Sequence, residues 1–115
     1  MARYRAAADH QRSYDVPLVL VPGERVTVIR RDTAWPDWFW CINGEGLSAW
    51  VHDEILVRHG DGAAEVRRSY SSMELSVAAG DELVGDQELG GWVWCRDEHG
   101  NEGWVPSANL EGTAP

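Results

Sequence analysis

The sequence contains no lysine, and its ten arginines are set against nineteen aspartates and glutamates. The formal net charge is −9 at pH 7, and it is uneven, because residues 59–115 carry −8 and residues 1–58 only −1. Such an acidic chain repels phosphate backbones and anionic lipids, so we expect no nucleic acid and no membrane among its partners. The charge of the second half fits either a basic partner or an ordinary solvated face.

Several other features are scarce. Only two cysteines are present, which is too few for the disulfide framework of a small domain, and no C-x-x-C or H-x-x-x-H spacing accompanies them. We therefore expect no bound metal and no cofactor. No apolar run reaches 18 residues, and the charged N-terminus lacks the apolar centre of a signal peptide, which favours a cytoplasmic protein, with an exported protein whose signal has been removed as the alternative. Nucleophile motifs, paired-carboxylate spacings and phosphate loops are also missing, so an enzyme is not expected.

What the sequence does contain is an internal repeat. The tetrad WFWC at Trp38–Cys41 returns as WVWC at Trp92–Cys95, and LVLVPGERVTV aligns with LSVAAGDELVG. The offset is 57 residues before the tetrad and 54 after it, so the first copy has three extra residues within RRDTAWPD. An insertion there indicates an exposed loop. We interpret the chain as a tandem duplication.

Each copy has the pattern of short β-strands. ERVTVIRR alternates and is rich in β-branched residues, and glycine-containing NGEG and DEHGN follow the tetrads as hairpin turns would. No segment has a helical stripe of ten residues. Short strands joined by turns, within about 50 residues per copy, predict an all-β protein of two small barrels.

The motifs of both copies resemble Src-homology-3 (SH3) domains, the second copy more closely. ELSVAAGDEL, WVWC and GNEGWVPSANLE are similar to that family's ELSF-x-x-GD, W-W-x-(A/G) and GW-(F/I/V)-PS-N-Y segments. The arrangement is also similar to small bacterial proteins built from two variant SH3 domains. The resemblance implies two SH3-like barrels in tandem, at residues 1–58 and 64–112, with a linker at 59–63 and a tail at 113–115.

The resemblance also gives the tetrad a meaning. Its fourth position is a small core residue in the family, which implies that Cys41 and Cys95 are buried thiols. A disulfide between the barrels and a reactive or metal-binding thiol are the alternatives. The first tryptophan lines the family's groove for proline-rich peptides, a role that falls to Trp38 and Trp92. Trp40 and Trp94 have no family role, and could cover an outer face or join the barrels.

In the second copy the resemblance implies that part of the family's groove is kept. Tyr70 takes the place of a family tyrosine, and Pro106 that of the groove proline. Trp92 and Trp104 complete the expected ligand-binding set. Glu74, Asp86 and Glu88 would supply negative charge around it.

In the first copy the groove residues differ, since His10 and His52 replace a tyrosine and the proline. We expect both histidines to converge with Trp38 on one face. Two histidines with nearby carboxylates could bind a metal or respond to pH. The simpler interpretation is that groove positions without a ligand have become polar.

The function favoured by these features is a non-enzymatic interaction module for an extended, basic or proline-containing peptide of a protein partner. A cell-wall (peptidoglycan) ligand module is an alternative, because bacterial relatives of this barrel are often fused to wall hydrolases. An aromatic cage for methylated lysine or arginine is another, suited by tryptophans and acidic rims. A structural or assembly protein without a groove ligand is the last.

Overall fold

A computed structural model describes residues 1–113 of the chain. These residues form antiparallel strands and no α-helix, so the predicted all-β class is confirmed. Within residues 1–113, no helix is long and apolar enough to span a membrane. Two short 3-10 turns lie at Asp53–Ile55 and Ser107–Asn109. The strands are β1 (Ala2–Ala6), β2 (Val19–Leu20), β3 (Arg25–Arg31), β4 (Trp38–Ile42), β5 (Ser48–His52), β6 (Leu56–Arg58), β7 (Ala63–Val66), β8 (Tyr70–Ser71), β9 (Glu82–Leu89), β10 (Trp92–Arg96), β11 (Glu102–Pro106) and β12 (Leu110–Gly112).

The chain divides into two compact units. Unit 1 comprises Met1–Asp15 together with the chain from Met73 onwards, and unit 2 comprises Val16–Ser72. Unit 1 contains a five-stranded sheet of order β11-β10-β9-β1-β12, and unit 2 one of order β5-β4-β3-β7-β6. A short ladder between β2 and β8 completes unit 2. The two sheets therefore have the same strand order, with β11, β10, β9, β1 and β12 of unit 1 in the places of β5, β4, β3, β7 and β6 of unit 2.

Unit 1 folds around side chains that alternate inwards from its sheet. On β10, for example, Val93 and Cys95 are buried while Trp92 and Trp94 are only half-buried. This alternation is what a half-buried antiparallel strand requires. The core cluster of unit 1 is Ala6, Leu75, Val77, Leu83, Val93, Cys95 and Val105, with Tyr4 and Leu110 packed against it.

Unit 2 has an equivalent core. Its tetrad strand, β4, buries Trp38, Phe39 and Cys41, so this strand is covered more completely than β10. The other buried apolar side chains of unit 2 are Leu18, Leu20, Val26, Ala49, Val51, Ile55, Leu56, Ala64, Val66 and Tyr70.

The first strand of each predicted copy lies in the sheet formed by the strands of the other predicted copy. Strand β1 lies between β9 and β12, with Tyr4 opposite Leu83 and Ala6 opposite Leu110. Strand β7 lies between β3 and β6, with Ala64 opposite Val26. The structural units therefore do not follow the predicted boundaries of 1–58 and 64–112, because those boundaries assume that each copy keeps its own first strand.

The predicted linker at 59–63 also has a different role. It is the turn of a hairpin between β6 and β7, closed by a hydrogen bond from the His59 N–H to the Ala63 carbonyl at 2.8 Å. Gly62 there has φ +83°, a conformation that glycine adopts without strain. Of the predicted tail, Thr113 donates its N–H to the Arg3 carbonyl at 3.0 Å, and residues 114–115 lie outside the described residues.

The predicted hairpin turns after the tetrads are confirmed. Asn43 Oδ1 accepts the N–H groups of Glu45 and Leu47, and Asp97 Oδ1 accepts those of His99 and Asn101. These side chains hold their turns through local bonds that asparagine and aspartate favour.

Candidate functional site

The two cysteines are free, and each is fully buried. Burial disfavours the thiolate and raises the pKa of Cys41 to about 12 and that of Cys95 to about 11. Since the thiolate is the reactive form, neither side chain is suited to nucleophilic or metal chemistry in the folded protein. The prediction that both cysteines are small core residues is confirmed.

Trp92 is a half-buried aromatic side chain at the start of β10. It is paired across the strands with Pro106, which is also half-buried. The ring of His10 meets it edge-on, with 5.6 Å between the ring centroids. Trp92 thus has a proline on one strand beside it and an imidazole from the N-terminal segment against its ring.

His10 is fixed beside Trp92 by the carboxylate of Glu74. His10 Nε2 lies 2.9 Å from Glu74 Oε1, and the side chains are 14% and 11% exposed. The Ser13 hydroxyl and N–H donate to the same oxygen at 3.1 and 3.3 Å. The predicted acidic groove residue Glu74 is therefore engaged by the protein itself and contributes little free negative charge to a ligand.

The edge of this surface is polar and acidic. Ser107 Oγ lies 3.3 Å from Glu88 Oε1, and Asn109 Nδ2 donates to the Asp9 carbonyl at 3.1 Å. Asp86 and Glu88 are exposed, as a role in recognising a basic ligand would require. Within residues 1–113, no group of three or more His, Cys, Asp or Glu side chains could hold a metal ion.

Two of the predicted groove residues do not join Trp92 and Pro106 at the surface. Trp104 is only 4% exposed, and its ring packs edge-on against Trp94 with 5.2 Å between centroids. Tyr70 belongs to unit 2, where its hydroxyl donates to the Trp50 carbonyl at 2.9 Å. Trp104 lies on the opposite face of β11 from Val105. Tyr70 follows β7, which pairs with β3 in unit 2, so Tyr70 lies in that unit as well.

The equivalent face of unit 2 is filled by its own side chains. Trp38 is 8% exposed, so its predicted position at the surface is wrong. Its ring packs edge-on against His52, which is 7% exposed, with 5.1 Å between centroids. Tyr70 is buried in the same unit. The structure places His10, which was predicted to lie with Trp38 and His52, against the ring of Trp92 and beside Glu74 in unit 1.

Ser13 and Ser107 are site residues that the sequence did not single out. Ser107 could have been found, since it follows Pro106 within the VPSAN motif. Ser13 gave no signal, because its partner Glu74 lies 61 residues away. The paired tryptophans did have an identifiable pattern: Trp40 lies opposite Trp50 and Trp94 opposite Trp104, with 5.2 Å between the ring centroids of each pair. Each of these tryptophan pairs lies within one unit.

Residues 63–111 match the family model described as a variant SH3 domain. Comparisons with curated proteins and with solved structures found no match. The matched segment includes β7, which pairs in unit 2, and lacks β1, which completes the sheet of unit 1. Residues 63–111, somewhat less than half of the chain, are thus similar to a variant SH3 domain.

Proposed function

We propose that this chain is a non-enzymatic interaction module that binds an extended peptide segment of a protein partner, and that Trp92 is the centre of the binding surface. The observation that carries the proposal is the position of Trp92, half-exposed between Pro106 and the ring of His10. A flat aromatic side chain beside a proline gives a peptide two apolar walls that need no rearrangement.

An extended ligand fits these walls best. A left-handed polyproline helix is preformed and has no internal hydrogen bonds, so it loses little conformational entropy when it docks on aromatic side chains. Glu74 and Asn109 are already bonded to other parts of unit 1. The contacts offered to a ligand are therefore few, and the affinity is modest.

The charge of unit 1 favours a ligand that carries arginine or lysine. Residues 1–15 and 73–113 contain eleven carboxylates and four arginines, a net charge of −7, whereas unit 2 carries −2. Asp86 and Glu88 are exposed on the strand next to Trp92. Exposed charge pairs each contribute about 0–1 kcal/mol and are screened beyond roughly 8–10 Å, so raising the salt concentration weakens binding.

We further propose that the chain is a duplicated SH3-like barrel in which only unit 1 binds a peptide. The duplication is supported by the equal strand order of the two sheets and by the burial of both tetrad cysteines. The single site is supported by burial in unit 2, where Trp38, His52 and Tyr70 leave no aromatic wall exposed at the corresponding position.

The test is a titration of the labelled full chain with a library of extended peptides that contain proline and arginine, followed by NMR chemical shifts. Binding peptides should shift the signals of Trp92 and its neighbours in unit 1. Trp92→Ala should abolish these shifts and keep the dispersed spectrum of a folded protein.

The matched control is Trp35→Ala, because Trp35 is a 62% exposed tryptophan of unit 2 and should not affect binding. Glu88→Gln should weaken the binding of basic peptides. Glu45→Gln, which removes an exposed carboxylate of unit 2, should leave that binding unchanged. Unaltered binding by Trp92→Ala, or shifts that cluster in unit 2, would refute the proposed site.

A further inference from the structure

The exchange of β1 and β7 between the two sheets raises the question of why each strand does not pair with its own copy. The registers define which positions are equivalent. Arg5 opposite Glu82 corresponds to Glu65 opposite Arg25, and Tyr4 opposite Leu83 corresponds to Ala64 opposite Val26. The same chain could therefore form both sheets with β1 and β7 interchanged and no change in register.

We propose that residues 4–5 and 64–65 carry a charge-and-size code that directs β1 to the sheet of unit 1, and that this code makes His10, rather than Tyr70, the neighbour of Trp92. Each part of the code is complementary in the observed pairing and unfavourable in the interchanged one.

The first part is charge. Arg5 is paired in register with Glu82 on one neighbouring strand and with Glu111 on the other. Glu65 lies opposite Arg25. Interchanging the strands would place Arg5 opposite Arg25 and Glu65 opposite Glu82. Opposite charges on adjacent strands stabilise a sheet, and like charges destabilise it. Among residues 1–113 these particular pairs are not within ion-pair distance, so the effect is one of charge across the strands.

The second part is size. Gly85 leaves room for the ring of Tyr4, since a Cβ at residue 85 would lie 2.9 Å from Tyr4 Cδ2. The register gives Val28 as the counterpart of Gly85 and Ala64 as the counterpart of Tyr4. In unit 1 the large ring of Tyr4 meets Gly85, whereas in unit 2 the small Ala64 stands at the counterpart of Tyr4 and the larger Val28 at the counterpart of Gly85. The interchanged pairing would bring Tyr4 against Val28 and leave Ala64 beside Gly85, with overpacking in one sheet and a void in the other.

The code decides which side chain stands beside Trp92. His10 bridges to Val77 in unit 1, and Tyr70 pairs with Leu20 in unit 2, which are equivalent positions of the two copies. Strand β1 leads directly to His10 and β7 to Tyr70. Directing β1 to unit 1 therefore brings an imidazole, bonded to Glu74, to the place where the interchanged pairing would bring a phenol.

The test exchanges the code without changing the composition: the full chain with Tyr4→Ala, Arg5→Glu, Ala64→Tyr and Glu65→Arg. In the wild type, nuclear Overhauser contacts should join the backbones of residues 4 and 83 and the rings of His10 and Trp92. In the recoded chain they should join residue 4 to Val26, and the ring of Tyr70 should contact that of Trp92. A folded recoded chain that keeps the contact between residues 4 and 83 would overturn the proposal.

A pair of simpler variants decides the matter if the recoded chain does not fold. Arg5→Glu should lower the melting temperature by about 2–6 °C, and adding Glu82→Arg should restore part of it. Adding Arg25→Glu instead should lower it further, because Glu65 then loses its cation. An Arg5→Glu variant that melts higher than the wild type, and that Arg25→Glu but not Glu82→Arg then destabilises, would show that Arg5 faces Arg25 and would refute the code.

Discussion

Replacing Gly85 by alanine tests the packing of β1 against β9 at its tightest point. Gly85 lies on β9 and faces the core of unit 1. A methyl group there would overlap Tyr4 Cε2 and would lie 2.9 Å from both Tyr4 Cδ2 and Val93 Cγ1. The φ of Gly85 is not positive, so alanine would meet steric overlap and no backbone strain.

Overpacking of this kind typically costs about 1–3 kcal/mol. We expect the upper half of that range for Gly85→Ala, because the added methyl group would be in contact with the ring of Tyr4 on one side and with Val93 on the other. Each kcal/mol lowers the melting temperature of a small domain by roughly 4–8 °C. Urea and thermal unfolding followed by tryptophan fluorescence would measure the change.

The cause can be isolated with a double-mutant cycle. Tyr4→Ala alone should be destabilising, since Tyr4 packs against the core. In the Tyr4→Ala background, Gly85→Ala should cost much less, giving a coupling of about 1 kcal/mol or more between the two sites. Gly112→Ala is the control, because Gly112 lies in the same sheet and a Cβ there would have no neighbour within 4 Å. Strict additivity, or a Gly85→Ala chain as stable as the wild type, would show that Tyr4 does not occupy this place.

Two further predictions follow from burial and strand order. Burial raises the pKa of Cys41 to about 12 and that of Cys95 to about 11 in the folded protein. Between about pH 9 and 11 the thiols of the unfolded chain therefore lose their protons while those of the folded protein keep them. The free energy of unfolding should consequently fall as pH rises through this range. The fall should be smaller in Cys41→Ala/Cys95→Ala, and equal slopes would contradict the burial. Deleting residues 1–15 should unfold unit 1, since β12 loses the strand that joins it to the sheet and β9 keeps only β10 as a neighbour, although the segment matched by the SH3 family model stays complete. NMR signals of Val93 and Cys95 that remain dispersed in the deletion variant would contradict that expectation.

The class of the fold could be predicted because its signals are local. Alternation along a strand and the residues of a tight turn act within a few positions, and the turn after each tetrad is closed by a side chain, Asn43 or Asp97, within the turn itself. The burial of Cys41 and Cys95 is implied by the resemblance of the tetrads to SH3 domains, and both side chains are buried on their strands. These features need no knowledge of which strands are neighbours across the chain.

The strand partners could not be predicted in this way. ARYRA and AAEV each suit the same place in either sheet, because the two sheets have the same order and register. What separates the alternatives is a comparison between residues about 20 and 80 positions away, such as Arg5 with Arg25 or with Glu82. An assignment of domains by contiguous motifs does not include this comparison. The predicted boundaries and the predicted neighbours of Tyr70 and His10 therefore differ from the structure for the same reason.

The two tetrads show which parts of the candidate site can be predicted from the sequence and which cannot. Both copies bury the fourth residue completely, because that side of the strand faces a core whichever first strand is present. The first residue faces the other way, and its environment is supplied by distant segments. Trp38 is covered through His52, while Trp92 meets Pro106 and a histidine carried in from residues 1–15. The tryptophan at the first position of the motif is thus a buried side chain in one unit and a half-exposed one in the other, and only the half-exposed one can act as an aromatic wall for a ligand.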